Sequence, residues 1–206
     1  MGIIYGTVIE AMAVQKRLSS NKVEHTVLIK EEATSSAVLK AMEKHSFLHI
    51  ACHGLQISKN PLRSSLFLKG EQLTLEIIIR KDIGQRAQLA FLSACETGTG
   101  SKTLPDESAH LAAGMLAAGY RGCVATMWEM MDHSGPEIAG AFYDKMAEMG
   151  EERSMGRKGM MYTDDAAYAL HYAVWKWRDT VRRKGSRNRY DPYDFASWVM
   201  FVHYGI

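Results

Sequence analysis

Two residues of this chain have the types and placement that nucleophilic chemistry needs: His53, near the end of FLHIACHG, and Cys95, at the end of QLAFLSAC. A thiol attacks a carbonyl carbon only as thiolate, and a nearby imidazole can take its proton and later deliver one to a leaving group. Gly54 follows His53, and the stretch Glu96–Gly100 after Cys95 is rich in Gly and Thr. The backbone N–H groups of Gly54 and Cys95 could therefore stabilise an oxyanion during acyl transfer. On strand ends alone the pair reads equally well as structural, because buried cysteines in strands are common.

Both residues end short apolar runs, Phe47–Ala51 and Leu89–Leu92. Runs of that length bounded by Gly and polar residues predict buried strands of a parallel sheet covered on both faces. Reactive groups in such sheets sit just beyond the carboxyl ends of the strands. Neighbouring strands lie roughly 4.8 Å apart, which would bring an imidazole and a thiol within reach of each other.

The rest of the chain supplies the frame. Apolar positions Val8, Ala11, Met12, Val14 and Leu18 predict a helix over Thr7–Leu18. Met1–Tyr5 ahead of it is too short for a complete core strand, so the pattern predicts that the chain lacks its first core strand. Glu24–Lys30 reads as a strand, and Thr34 opens a helix to about Lys44. Leu66–Leu68 and Leu73–Leu75 around Lys69-Gly70-Glu71 predict a β-hairpin at the edge of the site, followed by a short helix, Glu76–Ile83. Pro105 and Asp106 start a helix over Glu107–Ala118. Arg121–Met127 is another core strand and 128–132 its outgoing loop. Asp132 caps a helix that runs to about Met149, with Gly150 as its stop. Residues 150–163 read as an exposed internal linker. Asp164 and Asp165 begin a helix ended by the basic run Arg182–Arg189, and Ala196–Tyr204 reads as the last strand. The whole, 1–206, is one α/β domain with a mostly parallel sheet.

Composition excludes several classes. The chain is 47% hydrophobic and 23% charged with a formal net charge of +2, so bulk charge points neither to nucleic acid nor to an acidic membrane surface. No apolar run approaches a membrane span, and the N-terminus lacks the order of a signal peptide. Three cysteines in strand-like runs suit free thiols in a reducing compartment, which places the expectation in the cytoplasm.

The other polar candidates carry less. Cys52 and Cys123 read as core thiols, and the Cys and His residues show none of the close paired spacing of a zinc site. His49 shares the alternation of Ala51 and His53 and reads as a satisfied core histidine. His110, His133, His171 and His203 have no evident partner. Ser93 lacks the context of a serine hydrolase elbow. Asp132 and Glu107 stand at sheet ends and could recognise a basic substrate side chain, or serve as a helix cap and a first-turn acid.

Together, HIACHG, LAFLSACETGTG, LPDESAHLAAGMLAAGYRGCVATMW (Leu104–Trp128) and the terminal WVMFVHYG resemble a CHAT domain of fungal type, a caspase-like cysteine peptidase related to separase. The likeness spans most of the chain and is weakest over Met149–Ala167. The separation 95 − 53 = 42 is near the roughly 50 residues of caspases. The resemblance implies a caspase-like three-layer α/β sandwich and peptide-bond hydrolysis by a Cys/His dyad. Cys95 would be the nucleophile, His53 the general acid/base, and Gly54 with Cys95 the oxyanion donors. Ser93-Ala94-Cys95 replaces the caspase Gln-Ala-Cys, so aspartate specificity is not implied; separase-related members often prefer a basic residue. No cofactor or metal is needed, and a tetratricopeptide-repeat or receptor-type region is the expected regulatory partner. The competing readings are a catalytically silent caspase-like interaction module and acyl transfer on the same dyad.

Overall fold

A computed structural model describes residues 2–4, 8–57, 59–83, 86–96, 109–127, 134–184 and 198–206. Its strands are β1 (Gly2–Ile4), β2 (Thr26–Leu28), β3 (Phe47–Leu55), β4 (Ser65–Leu68), β5 (Glu71–Thr74), β6 (Leu89–Glu96), β7 (Gly122–Thr126) and β8 (Phe201–Gly205). They form one sheet ordered β2-β1-β3-β6-β7-β8, with the β4–β5 hairpin attached to β3. The pairs from β2 through β7 are parallel, and β8 returns antiparallel to β7.

The sheet is the middle layer of three. Helices α1 (Val8–Ser20), α5 (Ser134–Arg153) and α6 (Ala166–Lys184) cover one face, and α2 (Ser35–Lys44), α3 (Leu75–Arg80) and α4 (Ala109–Ala117) the other. On β6, Leu89 and Phe91 pack against Val14, Phe142 and Ala173, while Ala90 and Leu92 join Met42, Ile78 and Met115 on the opposite side. That division is the period-two alternation of a strand buried on both faces, and it explains why β3 and β6 read as mainly apolar runs. The expected caspase-like sandwich is the observed architecture.

Local signals account for several boundaries. Thr34 Oγ1 accepts from the Ala37 N–H at 3.2 Å and so caps α2. The hairpin closes over Lys69-Gly70, where Gly70 takes φ +70°, a value that favours glycine in a two-residue turn.

The segment ahead of α1, expected to be too short for a complete core strand, contributes β1, three residues long and hydrogen-bonded between β2 and β3. Three expectations change. Gly150 does not stop α5, which runs on to Arg153; a methyl group there would overlap the Met160 carbonyl, so glycine serves a close backbone approach. The supposed linker 150–163 is exposed only in its middle. Its start is the last turn of α5, closed by the Gly156 N–H on the Glu151 carbonyl at 2.8 Å, and its end returns to the core at Met161 and Thr163. The last strand is Phe201–Gly205, shorter than expected because Trp198 and Val199 are helical and Met200 is in a turn.

Candidate active site

The carboxyl ends of β3 and β6 carry the two residues whose chemistry stands out. Along β3 every residue from Phe47 to Cys52 is buried, and His53 is the first exposed one. In the parallel ladder with β6, His53 is the Cα partner of Cys95, and Gly54 of Glu96. Register partners on adjacent strands lie roughly 4.8 Å apart along the ladder direction, the spacing that a thiol and its base need. Gly54 is buried, with β6 on one side and Leu66 of the hairpin on the other. The hairpin is thus anchored one residue past His53.

The remaining thiols differ in setting. Cys52 and Cys123 are buried in the α2–α3–α4 layer. Burial pushes the Cys123 thiol far above its ordinary 9.0, which leaves it protonated and unreactive. Cys52 Sγ lies 3.3 Å from the His53 carbonyl oxygen.

Directly below the strand ends, on the α1–α5 side, is a polar cluster packed among apolar side chains. Glu10 of α1 is 1% exposed and His49 of β3 is 0% exposed. Glu10 Oε1 accepts from Ser93 Oγ at 2.5 Å and stands 3.0 Å from His49 Nε2. His49 Nδ1 is 3.2 Å from the Tyr143 hydroxyl of α5, and its ring stacks on Phe91 with centroids 4.9 Å apart. Burial, then the charge of Glu10, holds the Tyr143 phenol well above its ordinary value. Tyr143 therefore stays a donor, and its O–H meets an acceptor when Nδ1 is unprotonated. Nε2 then carries the ring proton and donates to Glu10, so that every donor in the cluster has an acceptor.

His49 is thus the satisfied core histidine that alternation suggested. Glu10 went unrecognised: as an acid in the first turn of a helix it has an ordinary explanation. The available signal was its position beside Ala11, Val14 and Leu18 on the buried stripe of α1, where Met12, expected inside, is 59% exposed.

The other candidates scatter or fall outside view. Asp132, Glu107 and His133 lie outside the described residues. His171 is exposed on α6. His203 of β8 is half-buried, its Nε2 lacks a hydrogen-bond partner, and burial holds its pKa below the usual 6.5. Among the described residues no three His, Cys, Asp or Glu gather as metal ligands, and no helix is long and apolar enough to cross a membrane. A hollow of about 110 Å³ lies elsewhere, among Arg17, Glu137, Asp144 and Trp177 of α1, α5 and α6.

The family model described as CHAT domain covers residues 4–205, which includes every element that builds the strand-end site. No curated protein matches the chain.

Proposed function

Because the chain belongs to the CHAT domain family, whose fold is caspase-like, we propose that it is a cysteine endopeptidase working through His53 and Cys95. The observation that carries this reading is the pairing of His53 with Cys95 in the parallel ladder, at the carboxyl ends of two central strands. A supporting observation is that both other thiols are buried.

In the proposed reaction the Cys95 thiolate attacks the scissile carbonyl carbon, and its electrons move to the carbonyl oxygen. The N–H groups of Gly54 and Cys95 are the proposed donors to that oxyanion. As the tetrahedral intermediate collapses, His53 gives a proton to the leaving amine and an acyl thioester remains. His53 then takes a proton from water, whose oxygen attacks the thioester, releasing the acid and restoring the thiolate. All groups in this cycle belong to the chain, the substrate or water. The proposed substrate carries a basic residue before the cleaved bond, with Asp132 and Glu107 as the acidic candidates to recognise it, and a regulatory partner region controls the site.

The test is labelling of the purified protein by a peptide ketone bearing Arg beside the warhead, with the modified residue located by mass spectrometry. An Asp-bearing probe and the His53→Ala protein are controls. Selective modification of Cys95 by the Arg probe, lost in His53→Ala, is the expected result. Folded protein that leaves Cys95 unmodified would remove the peptidase reading.

A further inference from the structure

We infer that Glu10 is a positioning residue for the His53 and Cys95 pair, its buried carboxylate tying α1 to the two strands that carry them. The inference rests on the dyad reading above. Ser93, which donates to Glu10, lies two residues before Cys95 on β6, about 6.6 Å along the strand. His49, which meets the same Glu10 oxygen, lies four residues before His53 on β3. One oxygen atom thus contacts both strands just below the level where they present the proposed catalytic groups.

The surrounding chemistry argues that this cluster does more than fill space. Its neighbours on the same face of the sheet, Phe47, Leu89, Phe91 and Val124, are apolar. Apolar side chains would fill that volume without the cost of desolvating a carboxylate. The ladder sets the strand register through the backbone, and hydrogen bonds to one fixed oxygen add a directional side-chain restraint that apolar contacts lack. His49 is itself held on its far side by Tyr143 and flat against Phe91. The cluster therefore fixes β3 and β6 against each other where an error of an ångström would separate nucleophile from base.

The experiment uses the full chain and the Arg-bearing peptide ketone, measuring the maximal inactivation rate, the half-saturating probe concentration and the labelled fraction at Cys95. In Ser93→Ala and Glu10→Ala the maximal rate should fall about 10-fold or more, with half-saturation within about twofold of wild type. Glu10→Gln keeps an oxygen that can accept from both Ser93 and His49, and should stay within about threefold of wild type. A purely structural role would instead lower the labelled fraction and leave the rate of the folded fraction unchanged. Ser93→Ala removes a single hydroxyl and keeps the test available if Glu10→Ala does not fold, as read by circular dichroism.

Folded Ser93→Ala reacting at the wild-type maximal rate would overturn the inference while leaving the dyad intact. Glu10→Gln as impaired as Glu10→Ala would also overturn it, since charge and not hydrogen-bond geometry would then be responsible. Wild-type labelling of Cys95 that does not depend on His53 removes the dyad reading and this inference with it.

Discussion

His53 and Cys95 are partners in the ladder between β3 and β6, and His53 is the residue at which β3 emerges from the core. Replacing either by Ala should lower kcat for hydrolysis of an Arg-containing peptide by about 10³-fold or more, because each takes part in both halves of the proposed reaction. The melting temperature of His53→Ala should match wild type, since the side chain is exposed. Parallel activity and melting measurements check both statements, and wild-type hydrolysis by Cys95→Ala would dismiss Cys95 as nucleophile.

Cys123 provides the contrasting thiol. It is fully buried and kept protonated by burial. Cys123→Ala should keep peptide hydrolysis within about threefold of wild type, since a buried protonated thiol is no nucleophile. A loss comparable to that of Cys95→Ala would show that the wrong thiol has been chosen.

Stability should fall on the alkaline side. Burial raises the pKa of Cys123 above 9.0 and those of Tyr120, Tyr143 and Tyr204 above 10.0. Above about pH 9 the unfolded chain releases these protons while the folded chain keeps them, so the folded state binds more protons and loses stability as pH rises. Denaturant midpoints between pH 8 and 11 should show that decline. In Cys123→Ala the slope should be shallower by up to about 1.4 kcal/mol per pH unit, the contribution of one proton. Equal slopes in the two proteins would mean that Cys123 is not the first of these groups to matter.

Two helical glycines should respond differently to alanine. Each substitution gains about 1 kcal/mol of helix propensity. At Gly150 the new methyl would meet the backbone carbonyl of Met160, whereas at Gly114 it would meet the side-chain carbons of Leu75. Backbone has less room to yield, so Gly150→Ala should cost about 1–3 kcal/mol net and melt lower than Gly114→Ala. Thermal denaturation of both variants decides the order.

The strands that carry the site were legible because a strand buried on both faces is written as a mainly apolar run, and β3 and β6 are such runs apart from His49 and Ser93. Thr34 as a cap and Gly70 as a turn residue were legible because their roles are local. Glu10 was not, because its partners lie 39 and 83 positions away and its own neighbourhood looks like an ordinary helix start. Gly150 was misread for a related reason: a glycine that admits a distant carbonyl and one that ends a helix look alike in sequence. In β1, three residues contain too little alternation to announce a strand, and β2 and β3 pair with it regardless.

The hairpin turn at Lys69-Gly70 is exposed and divides the chain between the two proposed catalytic residues. A single break there would put His53 on one fragment and Cys95 on the other. The fragments would be held together by the β3–β6 ladder, the β4–β5 pairing and the core on either side of the sheet. Neither fragment would contain a complete dyad, so catalysis would become a property of their encounter, rising with the concentration of each. The molecule is in that sense divisible into two complementary halves, and turnover would report their reunion.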